Sequence, residues 1–177
     1  MKGINFRAVG LDPGGTTGWM QFDAKHDSSG KILDYELTPL HFGPQDHHED
    51  LYAALEHSHI HNYHLVYESF EFRQNDPRWQ YGVNLMSREY IGVAKLFGQQ
   101  RDLYGKKQIH ALTAGQSKGF IPDKAKNGMA ANAKLKAMGW YTPSMKHAND
   151  AARVLATWLI TNGGKDFRFL IEGWKDL

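Results

Sequence analysis

Four side chains, far apart in the sequence, are of the types and at the positions that metal-assisted hydrolysis requires. Asp12 ends the apolar run NFRAVGLD, and Pro13, Gly14 and Gly15 then turn the chain sharply. Glu68 closes a second apolar run, HLVYE; an acid there is poorly placed unless it meets solvent or a ligand. His147 and Asp150 stand three apart in KHANDAARVLATW, so a helix presents both on one face at its amino end. Gathered together, several carboxylates repel by a few kcal/mol per close pair at an effective dielectric of about 20. A divalent cation relieves that repulsion, and hard oxygen donors suit Mg²⁺, with Mn²⁺ as a substitute. Two such ions about 4 Å apart can activate water and stabilise the leaving oxygen in phosphodiester hydrolysis. Taken singly each residue has a plainer reading. DPGG is also a hairpin turn capped by its own Asp, Asp150 also suits a helix dipole, and His147 also suits the surface.

The elements that must gather these residues follow from periodicity. Phe6, Ala8, Val9 and Leu11 suit a buried strand, and Thr16 to Met20 reads as its returning partner. Lys31 to Phe42 is a third strand, and Asp46 to Ile60 has helical spacing at Leu51, Ala54 and Leu55. The strand from His64 to Phe70 carries Glu68. The segment from Phe70 to Trp79 is a loop bearing Phe70, Phe72 and Arg73. Tyr81 to Tyr104 keeps its apolar residues near one stripe, is long for this chain, and offers a face for a partner subunit. Lys107 to Leu112 is a short strand, Thr113 to Asn127 a polar loop, and Gly128 to Met138 a helix stopped by Gly139. His147 to Thr161 is an amphipathic last helix, and the tail from Asp166 is too short to assign. The order implies one mixed sheet with helices on its faces. A helix-bearing connection allows the strands ending at Asp12 and Glu68 to lie parallel and adjacent, which brings the two acids to one edge.

The chain has 177 residues, 41% hydrophobic and 23% charged, as expected of one soluble globular domain spanning 1–177. No run approaches the roughly 18 apolar residues of a membrane span. The amino terminus lacks a signal-peptide pattern, so a cytoplasmic location is the expectation. Without Cys, any metal site must use oxygen or imidazole. Seven of the ten histidines fall between His41 and His64. His57, His59 and His61 invite a metal reading, but residues two apart on a helix do not share a face. Net charge is +2, yet Lys106 to Lys146 carries eight lysines against Asp123 alone, +7 in that stretch and −5 elsewhere. Such asymmetry points to a polyanion-facing surface, with solvated helix faces as the plainer alternative.

GLDPGGTTGW, LVYESF, the QSK of Gln116 to Lys118, and HANDAARVLA, in this order from about Val9 to Ile160, resemble the RuvC-type Holliday-junction resolvases. The resemblance implies a ribonuclease-H-like α/β fold, with a central five-stranded mixed sheet and helices on both faces. It also implies a homodimer and Mg²⁺-dependent cleavage of four-way DNA junctions, in a phage or bacterial setting. Asp12, Glu68 and Asp150 fall on the family's catalytic, metal-binding acids. His147 falls where many members carry a fourth acid and some a histidine. Lys118 matches a lysine facing the scissile DNA, and Lys124 or Lys126 approximates a second. Phe70 and Phe72, with Arg73 beside them, lie where the family places an aromatic near the junction centre. The Tyr81–Tyr104 helix matches the dimer-forming helix.

Three other readings fit parts of the same sequence. A related nuclease acting on flaps, forks or RNA would share the acids, because substrate choice resides in loop shape. DPGGTTG also resembles the DxGxT phosphate loop of the sugar-kinase and actin type, although that fold uses two such lobes and a second Asp-Gly loop is missing here. A DNA-binding module with a decayed site is the third, and the intact acids speak against it.

Overall fold

In the computed structural model, the residues described are 4–43, 46, 48–69, 83–125, 128 and 130–177. Five strands form one sheet: β1 (Phe6–Asp12), β2 (Thr17–His26), β3 (Ile32–Phe42), β4 (Tyr63–Ser69) and β5 (Ile109–Thr113), in the order β3-β2-β1-β4-β5. The first three strands form an antiparallel meander, and β1 pairs parallel with β4, which pairs parallel with β5. The expected adjacency of the strands ending in Asp12 and Glu68 is thus observed, in a register that opposes Leu11 to Tyr67.

Helices cover both faces, as expected. Because side chains alternate along a strand, Val9 and Leu11 pack on one side with α1 (His48–Ser58) and α2 (Val83–Gln100), among Leu51, Leu55, Ala94 and Phe97. Phe6 and Ala8 pack on the other side with α3 (Ala114–Phe120), α4 (Ala133–Ala137) and α5 (Lys146–Asn162). Gly10 and Asp12 follow on that second side, as do Val66 and Glu68 of β4.

Four stretches differ from the sequence expectation. The expected loop after β5 begins as helix α3, because Thr113 and Gln116 form a reciprocal capping box: Thr113 Oγ1 accepts from Gln116 N at 3.2 Å and Gln116 Oε1 from Thr113 N at 2.7 Å. The expected helix from Gly128 shrinks to Ala133–Ala137, since Asn132 adopts a left-handed backbone (φ 56°) immediately before it. Gly139 (φ 71°) ends it as foreseen, with Trp140 N donating to Leu135 O. Helix α2 stops at Gln100 rather than Tyr104, and a turn with Asp102 and Lys107 at positive φ carries the chain to β5; Tyr81 and Gly82 lie outside the described residues. The tail forms a 3₁₀ helix, Gly164–Asp176, that buries Phe167 and Leu170 in the α5-side core. Helix α5 is consequently covered on nearly every side: from Ala148 to Leu159 each residue except Asp150 is buried. Among the described residues no helix is long and apolar enough to cross a membrane.

Candidate active site

Asp12 lies at the carboxyl end of β1, and Gly18 faces it across the antiparallel pair. A methyl group at Gly18 would stand 1.8 Å from the backbone oxygen of His147, and one at Gly10 would meet Ala151 O at 2.7 Å and Leu155 Cβ at 2.6 Å. Helix α5 therefore rests directly on the backbone of β1 at Gly10 and of β2 at Gly18, one glycine in each strand. That seating delivers its first two turns to Asp12. One donor atom each from Asp12, His147 and Asp150 lies within 4.8 Å of the others, and this is the metal-capable group found among the described residues.

Glu68 lies outside that tight group but on the same face of the neighbouring strand. Ser117 Oγ, fully buried in α3, donates to Glu68 Oε2 at 3.0 Å, and Lys118 Nζ stands 3.5 Å from Oε1. On the opposite flank, Arg153 donates to Asp150 Oδ1 and to Asn132 Oδ1. Asp12 differs from both neighbours: among the described residues no donor bonds to it. Burial first, then the charges of Glu68 and Asp150, push its carboxyl up to about 7, against a smaller pull from Lys118 and Arg153. A cation would remove the second and third of these causes and offset the first. The donor set, two carboxylates and an imidazole with a third carboxylate beside them, fits a small divalent ion such as Mg²⁺ or Mn²⁺.

The remaining expected site residues distribute unevenly. Lys118 sits at the acids with its side chain 44% exposed, so it can meet Glu68 and an incoming phosphate alike. Lys124 is exposed on the loop after α3. Phe70, Phe72, Arg73 and Lys126 lie outside the described residues. The basic stretch from Lys106 to Lys146 is less free than its composition implies. Lys134 Nζ donates to Phe120 O and lies 4.4 Å from the Trp174 ring centre, while Lys136 stands over Tyr141. His57 is exposed in the last turn of α1, where a partial positive charge suits the dipole, and His59 packs on Tyr63 and Phe97. Sequence reasoning passed over Ser117, Arg153, Gly10 and Gly18. For the glycines the signal was present, since Gly within a strand marks a close backbone approach.

No model of a known protein family matches the chain, and no curated protein sequence matches it either. Solved structures do. The chain is similar to Thermus thermophilus RuvC in complex with a Holliday junction substrate, with a TM-score of 0.51 and 15% identity over 89% of this chain and 97% of that one. A second Thermus thermophilus RuvC structure overlaps with a TM-score of 0.48 at 18% identity, over 88% and 96% of the two chains. The fold is therefore RuvC-type and ribonuclease-H-like, as the sequence motifs implied.

Proposed function

We propose that this protein is a divalent-metal-dependent endonuclease that cuts phosphodiester bonds in branched DNA, with the four-way junction as its principal substrate. The observation that carries the reading is the convergence of Asp12, His147 and Asp150 within 4.8 Å, beside Glu68 and Lys118. Those side chains come from two strands and two helices far apart in sequence, and Lys118 and Arg153 offset only part of the repulsion among the acids. Support for the branched substrate comes from the RuvC-type fold, whose Thermus thermophilus example is complexed with a Holliday junction, and from the motif resemblance.

Asp12, His147 and Asp150 would hold Mg²⁺, with Glu68 completing the set. A divalent ion there supplies positive charge against a scissile phosphate and lowers the pKa of bound water. The chain's own contribution is to fix the acids. Ser117 holds one oxygen of Glu68 and leaves the other toward Lys118. Lys118 and Lys124 are placed to neutralise phosphates, a sequence-independent term that locates the strand without reading bases. In this reading Phe70, Phe72 and Arg73 engage the unstacked junction centre. The α2 helix joins two copies, so that symmetry sets two sites on opposed strands. The setting is cytoplasmic, bacterial or phage-encoded.

Incubating the wild type and Glu68→Gln with a mobile four-way junction in Mg²⁺ tests the reading. Paired nicks in opposed strands are expected from the wild type, with Glu68→Gln slower by more than about a hundredfold. Equal cutting by both refutes the site. Flaps, forks and RNA hairpins under the same conditions rank the substrates, and faster cutting of any of them displaces the junction.

A further inference from the structure

Arg153 is the most deeply buried charge next to the acid cluster, and nothing about metal-assisted hydrolysis by itself calls for it. It is 3% exposed, one helical turn after Asp150 on α5 and on the same face. One arm of the guanidinium donates to Asp150 Oδ1 and the other to Asn132 Oδ1, while Nε has no partner among the described residues. Its sequence neighbours on α5, Ala152 and Val154, are buried, and so are the polar Asn149 and Thr157 one turn to either side, neither of which bonds to the guanidinium. A buried ion pair with an unmet donor is weak grounds for stability, because well-packed apolar side chains of similar volume serve as well or better. Geometry accounts for it instead. The fork is rigid and planar, so gripping Oδ1 fixes the rotamer of Asp150 and the place of its second oxygen. Asn132, held in a left-handed backbone before α4, fixes the guanidinium from the far side.

We propose that Arg153 is a positioning residue that holds the Asp150 carboxylate in its metal-binding orientation, with Asn132 as its anchor. The inference rests on the metal-nuclease reading above. The arrangement parallels the outer partners that orient metal ligands generally, whose loss commonly costs ten- to a hundredfold in metal affinity. It also links Asn132, at the start of α4, to the acid cluster.

The test is Mn²⁺ binding to the full chain without DNA, read by electron paramagnetic resonance of the free ion, together with thermal unfolding. The variants are Arg153→Gln, Arg153→Lys and Asn132→Gly. Arg153→Gln should raise the Mn²⁺ Kd by about 10- to 100-fold. Arg153→Lys should recover part of that loss, since an ammonium can meet Asp150 but cannot match the fork. Asn132→Gly keeps the left-handed backbone easily and should raise Kd a few-fold with Tm nearly unchanged. A merely structural role would lower Tm and leave the Kd of the folded protein where it was. Folded variants that bind Mn²⁺ as tightly as the wild type overturn the inference, and tighter binding would mark Arg153 as a competing cation instead. If Arg153→Gln fails to fold, Arg153→Lys and Asn132→Gly decide by the same criterion. A wild type that binds no Mn²⁺ refutes the nuclease reading itself, and the inference falls with it; wild-type binding with unaltered variants sinks the inference alone.

Discussion

Replacing Asp12 with Asn should stabilise the metal-free protein, and by an amount that grows with pH. In the folded chain the Asp12 carboxyl sits at about 7 rather than 3.8, because burial and the charges of Glu68 and Asp150 disfavour its ionised form. The unfolded chain gives up that proton first. Between those two values the folded state binds more protons than the unfolded one, so stability falls as pH rises and levels off above about 7. At about 1.4 kcal/mol per tenfold, the full displacement costs about 4 kcal/mol above pH 7 and between 1 and 2 kcal/mol at about pH 5. Asn keeps the shape and carries no charge. The stability gap between Asp12→Asn and the wild type should therefore widen by about 2–3 kcal/mol from pH 5 to pH 8. Urea unfolding in the presence of a chelator, at several pH values, measures the gap directly, and its change with pH is insensitive to how well Asn packs. Saturating Mg²⁺ should reverse the ranking, since the wild type gains binding free energy that the variant forfeits. A gap of equal size at both pH values would refute the reasoning, because Asp12 would then carry no more proton affinity folded than unfolded.

Two further outcomes follow from the packing of α5 and of β4. Gly18→Ala drives a methyl into the His147 carbonyl, so α5 must lift from the sheet. A loss of about 1–3 kcal/mol is expected in chemical unfolding, with Mn²⁺ binding weakened in whatever remains folded; unchanged stability would show that the helix is seated elsewhere. His64 titrates in the opposite sense to Asp12: burial, then neighbouring His110, pushes it from 6.5 down to about 4. The folded state keeps it neutral where the unfolded state protonates, so its contribution is intact above about 6.5 and lost as pH falls toward 4. With partial exposure discounted, that amounts to about 1–2 kcal/mol. His64→Phe, which retains a ring against Phe6 and Trp158, should flatten the acid-side slope when measured in the Asp12→Asn background. An unaltered slope would clear His64 of the effect.

Periodicity and strand-terminal acids were enough to read the frame. Alternation identified β1 and β4, the helix-bearing crossover made them parallel neighbours, and this alone placed Asp12 beside Glu68. Spacing in KHANDAARVLATW put His147 and Asp150 on one helical face. Illegible were the contacts that depend on what lies across the fold. The aromatic rings that occupy Lys134 come from Phe120 and from Trp174, and the tail that supplies Trp174 is too short to assign from its sequence. Helix α3 was legible in principle, since Thr113 and Gln116 hold the spacing of a capping box, but its short, Gly-containing body reads as loop. Arg153 stands in an apolar run where a charge is out of place, yet only the folded left-handed turn at Asn132 shows what its second arm holds.

Helix α5 explains why the acids cannot ease their repulsion by drifting apart. It is the most enclosed helix among the described residues, with the sheet beneath it and α3, α4 and the 3₁₀ tail around it. At Gly10 and Gly18 its backbone touches the strands with no side chain between them to compress. Asp150 is thus fixed relative to Asp12 by the same contacts that hold the core, and Ser117 fixes Glu68 by one buried hydroxyl. Such a site has two ways to shed charge, a proton on Asp12 or a cation among the acids. The two compete for the same oxygens, so cation binding should release close to one proton near pH 6 and almost none above pH 8. Calorimetric titration of Mg²⁺ in buffers of different ionisation enthalpy counts that proton, and a count that does not fall with pH would sever the link between the crowded acids and the metal.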